Sequence, residues 1–162
     1  MSKIRVLFVC LGNICRSPAA EGIFLKKIDA KNFNRNFQVD SAGTGNWHVG
    51  QLPDARMRQV SLTRGYELTS RARQFTAEDF ENFDLIVAMD NSNYANICKL
   101  SNNPEHLKKV TMMTSYCLKH KLTEVPDPYF GGEQGFHHVI DILEDATESL
   151  LSSLIIKHKL EG

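Results

Sequence analysis

The chain alternates short apolar runs with stretches whose apolar residues recur every three or four positions. Ile4 to Val9 is apolar except for Arg5 and predicts a first strand. A helix follows over about 18–30, with Ile23, Phe24 and Ile28 on one face. Phe37 to Ser41 alternates as a short strand. Asp54 is placed to cap a helix reaching about Arg64, and Gly65 ends it. Thr76 to Asp79 opens a short helical turn, and Asp84 to Met89 is a central strand by its apolar run. Asn91 to Leu100 predicts another helix, broken near Asn103-Pro104, and Val110 to Met113 a fourth strand. Lys119 to Glu133 is a loop rich in Pro and Gly. From Gln134 to Lys157, the apolar positions Phe136, Val139, Ile140, Leu143, Ala146, Leu150 and Leu154 describe one long amphipathic helix. Alternation of strand and helix predicts an α/β fold, a parallel sheet with helices on both faces. No repeat, low-complexity tract or linker interrupts it, so residues 1–162 read as a single domain.

Composition narrows the function classes. A chain of 162 residues, 42% hydrophobic and 23% charged, has the make-up of a soluble globular domain. Nineteen basic residues balance nineteen acidic ones, so no global field favours nucleic acid or a membrane as partner. There is no long apolar segment and no leader-like start. Cys10, Cys15, Cys98 and Cys117 do not suggest a disulfide scaffold, which points to a reduced, cytoplasmic setting. Neither these cysteines nor the six histidines form a ligand set, so neither metal nor cofactor is expected. The pattern sets no oligomeric state.

The stretch Cys10-Leu11-Gly12-Asn13-Ile14-Cys15-Arg16-Ser17-Pro18 joins the first strand to the first helix. Ser17 is a suitable N-cap and Pro18 a suitable first helical residue. Leu11 to Arg16 can turn their backbone N–H groups inward around an anion at the helix N-terminus. Gly12 permits unusual backbone geometry, and Asn13 tolerates the left-handed region. Arg16 offers a planar fork that matches two phosphate oxygens, and a cation at a helix N-terminus is misplaced unless an anion compensates it. Cys10 ends the strand beneath this cradle, where ligands of such sheets bind. A lone strand cysteine is ordinarily core, but a positive cradle favours the thiolate and makes it a nucleophile aimed at phosphate.

The run from Val9 to Glu21, taken with Val125-Pro126-Asp127-Pro128-Tyr129, resembles the low-molecular-weight protein tyrosine phosphatases, a family with acid phosphatase activity. Cys-x5-Arg alone is a weak pattern; with Ser-Pro behind it and the distant Asp-Pro-Tyr it is specific, and the resemblance spans nearly the whole chain. It implies a four-stranded sheet in the order 2-1-3-4. It implies Cys10, Arg16 and Asp127 as catalytic residues and Leu11 to Ser17 as the phosphate loop. Leu11, Trp47, Tyr129 and Phe130 would line the substrate pocket, as aromatics in Gly- and Pro-rich loops also suggest. Many relatives carry two adjacent tyrosines where this chain has Tyr129-Phe130. Asn13, Ser17 and Ser41 would support the loop, Ser17 also donating toward the thiolate. Asp90 resembles a carboxylate that many relatives pair with a histidine, whose place here holds Ser70.

The implied reaction hydrolyses phosphotyrosine in proteins and small aryl phosphates through a cysteinyl-phosphate, releasing inorganic phosphate. It needs Cys10 deprotonated and Asp127 protonated together, so the rate should be bell-shaped in pH with an acidic optimum. Cys15 is close enough in sequence to trap an oxidised Cys10 as a disulfide. Three other readings stay open. Arsenate reductases share the loop, but the thioredoxin-coupled form needs two further cysteines close together, unlike Cys98 and Cys117. Protein-arginine phosphatases resemble this chain but carry threonine at the place of Ile14. A non-catalytic anion-binding or redox-sensing domain would leave Asp127 unexplained.

Overall fold

A computed structural model describes residues 2–161. Four strands form one sheet: β1 (Ile4–Cys10), β2 (Phe37–Gly43), β3 (Leu85–Ala88) and β4 (Val110–Met112). All are parallel, in the order β2-β1-β3-β4. The predicted order and architecture are therefore the observed ones. β1 is central, paired with β2 on one side and β3 on the other. Its residues after Arg5 are all buried, as a strand covered on both faces requires.

Successive side chains of β1 enter different layers. Val6, Phe8 and Cys10 join a core formed with α1 (Arg16–Ala30), α2 (Ala55–Thr63) and the long α6 (Glu133–Lys157). Leu7 and Val9 join Phe75, Phe80, Phe83 and Ile97 on the opposite face, where α3 (Asp79–Asn82) and α4 (Asn91–Cys98) pack. The seven apolar positions that predicted α6 are all buried, and Phe24 of α1 stacks edge-on against both Phe8 and Phe37. Burying each such side chain contributes about 1.5–3 kcal/mol before chain entropy is counted.

Local chemistry sets most boundaries. The Asp54 carboxylate caps α2 by accepting from Arg56 N (2.8 Å), and Gly65 ends that stretch at φ +90°. Asp90 caps α4 through Asn93 N at 2.7 Å. One helix was not predicted: α5 (Pro104–Leu107), a single turn opened by an Asn103 cap where the pattern suggested only a break. A 3-10 turn, Met113–Tyr116, follows β4.

The start of α1 differs from expectation. The helix begins at Arg16 with Cys15 in the cap position and no side-chain cap. Ser17 is therefore the second helical residue rather than the cap, and Pro18 the third rather than the first. Pro18 is tolerated because an N–H in the first turn has no intrahelical partner. The Ser17 hydroxyl, released from capping, turns back toward β1.

Candidate active site

The last carbonyl of β1 and two carbonyls of the loop after it are bound from outside. Cys10 O accepts from Thr44 N (2.9 Å), Leu11 O from Gly45 N (2.8 Å) and Ile14 O from Asp54 N (2.8 Å). In a planar trans peptide the N–H points opposite to the C=O. Fixing these carbonyls outward therefore turns the N–H groups of Leu11, Gly12 and Cys15 inward. The first amides of α1, which lack intrahelical acceptors, add to the same concavity. The result is an anion-binding nest built from backbone.

Asn13 supplies the turn. It has φ +57°, whereas Gly12 is not in the left-handed region. Gly12 is needed for space instead: a Cβ there would stand 3.0 Å from His48 Cδ2. Gly43, at the end of β2, has less room still, since a Cβ would lie 2.8 Å from Leu11 O and 3.0 Å from Asn13 N. The sheet edge and the loop meet backbone to backbone.

Cys10 Sγ lies 3.0 Å from Ser17 Oγ. That hydroxyl also accepts from Asn13 Nδ2 at 2.8 Å, and Asn13 Oδ1 accepts from Arg73 N at 3.0 Å. Arg73 is itself held by Asp40 and Asp79. Ser41, expected to brace Asn13, does otherwise: its hydroxyl donates to Glu21 Oε1 at 2.6 Å. Burial pushes the Glu21 carboxyl up to about 7, against the opposing hydrogen bonds from Ser41 and Ser70.

Arg16 is 2% exposed. Its Nη1 donates to Asp90 Oδ2 (2.7 Å) and to Val125 O (3.0 Å), and its Nη2 stands 3.7 Å from Asp127 Oδ2. The anion that a cation at this helix end demands is thus supplied within the chain by Asp90. Asp90 pairs with Arg16, and Ser70, at the place of the histidine, turns to Glu21. Asp127 is set by its own backbone, since Tyr129 N donates to its Oδ1 at 3.0 Å.

These groups surround a cavity of about 270 Å³ lined by Cys10 to Gly12, Ile14 to Arg16, Trp47, His48, Asp127, Tyr129 and Phe130. Ser17 and Asn13 stand behind that wall, and Ser41 is separated from it. Phe130 is 94% exposed and Trp47 68%, and both lie at the mouth. Trp47 rests on Gly45, where a Cβ would overlap the indole at 1.9 Å from Cζ3. Cys15 is buried, and that burial, followed by the charge of Asp54, pushes its thiol far up from the ordinary range. All four cysteines are free.

A doubly wound parallel sheet with a cysteine at its central strand end, under a backbone anion nest closed by a buried arginine, defines a thiol-dependent phosphate-handling site. Residues 5–160 match the family model described as low molecular weight phosphotyrosine protein phosphatase. A Synechocystis sp. protein named for the low molecular weight protein-tyrosine-phosphatases is 52% identical over 151 residues, covering 93% of this chain and 96% of its own. The Homo sapiens low molecular weight phosphotyrosine protein phosphatase is 42% identical over 135 residues, 83% of this chain and 85% of its own. A protein tyrosine phosphatase from Entamoeba histolytica, solved with Hepes in its active site, superposes with a TM-score of 0.93 at 49% identity, over 98% of this chain and all of that one. The chain belongs to the low molecular weight phosphotyrosine protein phosphatase family. Its class of activity, protein tyrosine phosphatase, follows from that membership.

Proposed function

We propose that this chain hydrolyses phosphotyrosine in proteins and small aryl phosphates through a covalent intermediate on Cys10. The observation that carries the reading is the convergence of three groups on one cavity. Cys10 Sγ is 3.0 Å from the Ser17 hydroxyl, Arg16 closes the nest, and Asp127 faces it 3.7 Å from Arg16 Nη2.

In the first step the Cys10 thiolate attacks phosphorus in line. The S–P bond forms as the bond from phosphorus to the phenolic oxygen breaks, and Asp127 gives its proton to that oxygen. The inward N–H groups and Arg16 hold the equatorial oxygens, where transition-state charge is spread. Ser17 donates toward the sulfur and eases its departure later. In the second step Asp127, now ionised, takes a proton from water as the water oxygen attacks phosphorus. The S–P bond breaks, inorganic phosphate leaves, and the thiolate is restored. The aromatic walls of Tyr129 and Phe130, with Leu11 and Trp47, favour a flat aryl group.

Four free cysteines support a cytoplasmic site of action. The deciding experiment follows product release from an aryl phosphate in the presence of chelator. Native protein is expected to turn over and Cys10→Ser to give only background. Absence of turnover in folded, reduced native protein would overturn the reading.

A further inference from the structure

The segment carrying Asp127 has no regular structure, so its position depends on individual contacts. On the N-terminal side Val125 is fixed twice: its N–H donates to Met89 O (2.8 Å), and its carbonyl accepts from Arg16. On the C-terminal side the Asp127 carboxylate is held by the Tyr129 N–H, and Tyr129 is half in solvent. The Tyr129 ring also neighbours His48 and Phe130, but its link to the helical layer is Arg56. Its guanidinium carbon lies 5.3 Å from the centre of the Tyr129 ring and 4.9 Å from that of Phe136 in α6. Both distances are within cation–π range.

Arg56 is itself oriented. Its Nε and Nη2 donate to the two Asp54 oxygens at 3.1 and 3.0 Å, a bidentate pairing that fixes the plane of the guanidinium. Asp54 in turn donates its N–H to Ile14 O of the phosphate loop. A continuous path therefore runs from the phosphate loop through Asp54, Arg56 and the Tyr129 ring to the Asp127 carboxylate. Both ends of the path belong to the active site, while Arg56 itself is not among the cavity-lining residues.

We infer that Arg56 is a positioning residue for acid catalysis: it clamps Tyr129 against α6 and so holds Asp127 at the departing oxygen. The inference rests on the proposed roles of Cys10 and Asp127. Its signature is selective. Proton donation matters most when the departing phenol is weakly acidic, and scarcely at all when the phenolate leaves unaided. A defect confined to Asp127 therefore grows with the basicity of the leaving group.

The test compares native protein, Arg56→Met and Arg56→Lys on a series of aryl phosphates of graded phenol acidity, reading kcat/KM. Methionine keeps the length and packing and removes the charge. Its backbone N–H still bonds Asp54, so the α2 cap is retained. Arg56→Met is expected to lose up to about fivefold on the least acidic phenol, the worth of a cation–π contact at an exposed guanidinium, and less than about twofold on the most acidic. Arg56→Lys should recover part of the loss, since an ammonium also binds a ring face. In an Asp127→Asn background, Arg56→Met should cause no further loss. An equal loss across the series, or an undiminished loss in that background, would overturn the inference. Native protein without turnover on any member would instead overturn the function itself.

Discussion

The phosphate loop and the Asp127 segment face each other across one cavity, yet they are held in opposite ways. From Asn13 to Ser17 every residue is buried, and three backbone carbonyls, of Cys10, Leu11 and Ile14, are gripped from two other segments, at Thr44-Gly45 and at Asp54. From Asp127 to Phe130 only Pro128 is buried, and the other three side chains are exposed and held by few contacts. The difference follows the two tasks. Phosphate oxygens occupy nearly fixed positions throughout the reaction, so their donors gain from rigidity. In the proposed reaction the departing phenol belongs to a substrate of variable shape, and Asp127, as its acid, must let that group in and out.

The comparison breaks most visibly at Asp127. Asp127→Asn keeps the shape of the side chain but cannot supply a proton. It should lower kcat/KM for phenyl phosphate by about 10²- to 10⁴-fold, while an aryl phosphate with a strongly acidic phenol suffers much less. The same variant should lose the fall in rate on the alkaline side of the optimum. Steady-state kinetics across pH would show both effects, and an unchanged alkaline limb would remove Asp127 from its role.

Asp90→Asn attacks the rigid side instead. Arg16 would keep the Val125 carbonyl and Asp127 but lose its closest anion, and because Asp90 is part-exposed the cost falls below the roughly 3–5 kcal/mol of a fully buried pair. Chemical denaturation should register most of that, and catalysis should weaken alike for every leaving group if Arg16 handles phosphate as proposed. A leaving-group-dependent loss would show that Asp90 works on the acid instead.

Glu21 sharpens the picture behind the loop. Its carboxyl has an ordinary value of 4.5 and is raised to about 7 in the fold. Between those values the folded chain keeps a proton that the unfolded chain has released. Its contribution to stability is therefore complete below about 4.5 and lost as the pH rises through 7, worth about 3 kcal/mol over the window. Glu21→Gln should flatten the stability profile there. Denaturation midpoints at pH 5 and pH 8 would test it, and an identical pH dependence in native and variant proteins would refute it.

The smallest effect is expected at the mouth. Phe130→Ala should change stability by less than about 0.5 kcal/mol, because so exposed a ring buries almost nothing. KM for an aryl phosphate should rise a few-fold at most, with kcat little altered; a large fall in kcat would mean that this ring, too, positions Asp127.

Much of this architecture is legible in the linear chain because it is written locally. Short apolar stretches, or alternation in the case of Phe37 to Ser41, mark the strands, and a clean helical period marks α6. The loop from Cys10 to Ser17 is contiguous, so its chemistry could be read from adjacent residues. What escaped was non-local or too short. The pairing of Arg16 with Asp90 spans 74 positions, and the hold of Arg73 on Asn13 spans 60. α5 is one turn with no apolar period to announce it. Ser17 misleads because serine before proline is a good capping signal, whereas the backbone starts the helix two residues earlier, at Arg16 with Cys15 as cap. Ser41 faced Glu21 because a buried carboxyl needs a donor more than a nearby amide does.

The outward carbonyls of the phosphate loop imply a particular pattern of mutational freedom. Recognition by backbone amides leaves the exposed side chain of Leu11 free to drift toward new substrates without dismantling the nest, whereas Ile14 is held by the core. The constraint passes to the residues that pull those carbonyls outward. Thr44, Gly45 and Asp54 act through main-chain N–H groups, so nearly any replacement at Thr44 keeps its clamp, whereas proline at any of the three deletes one.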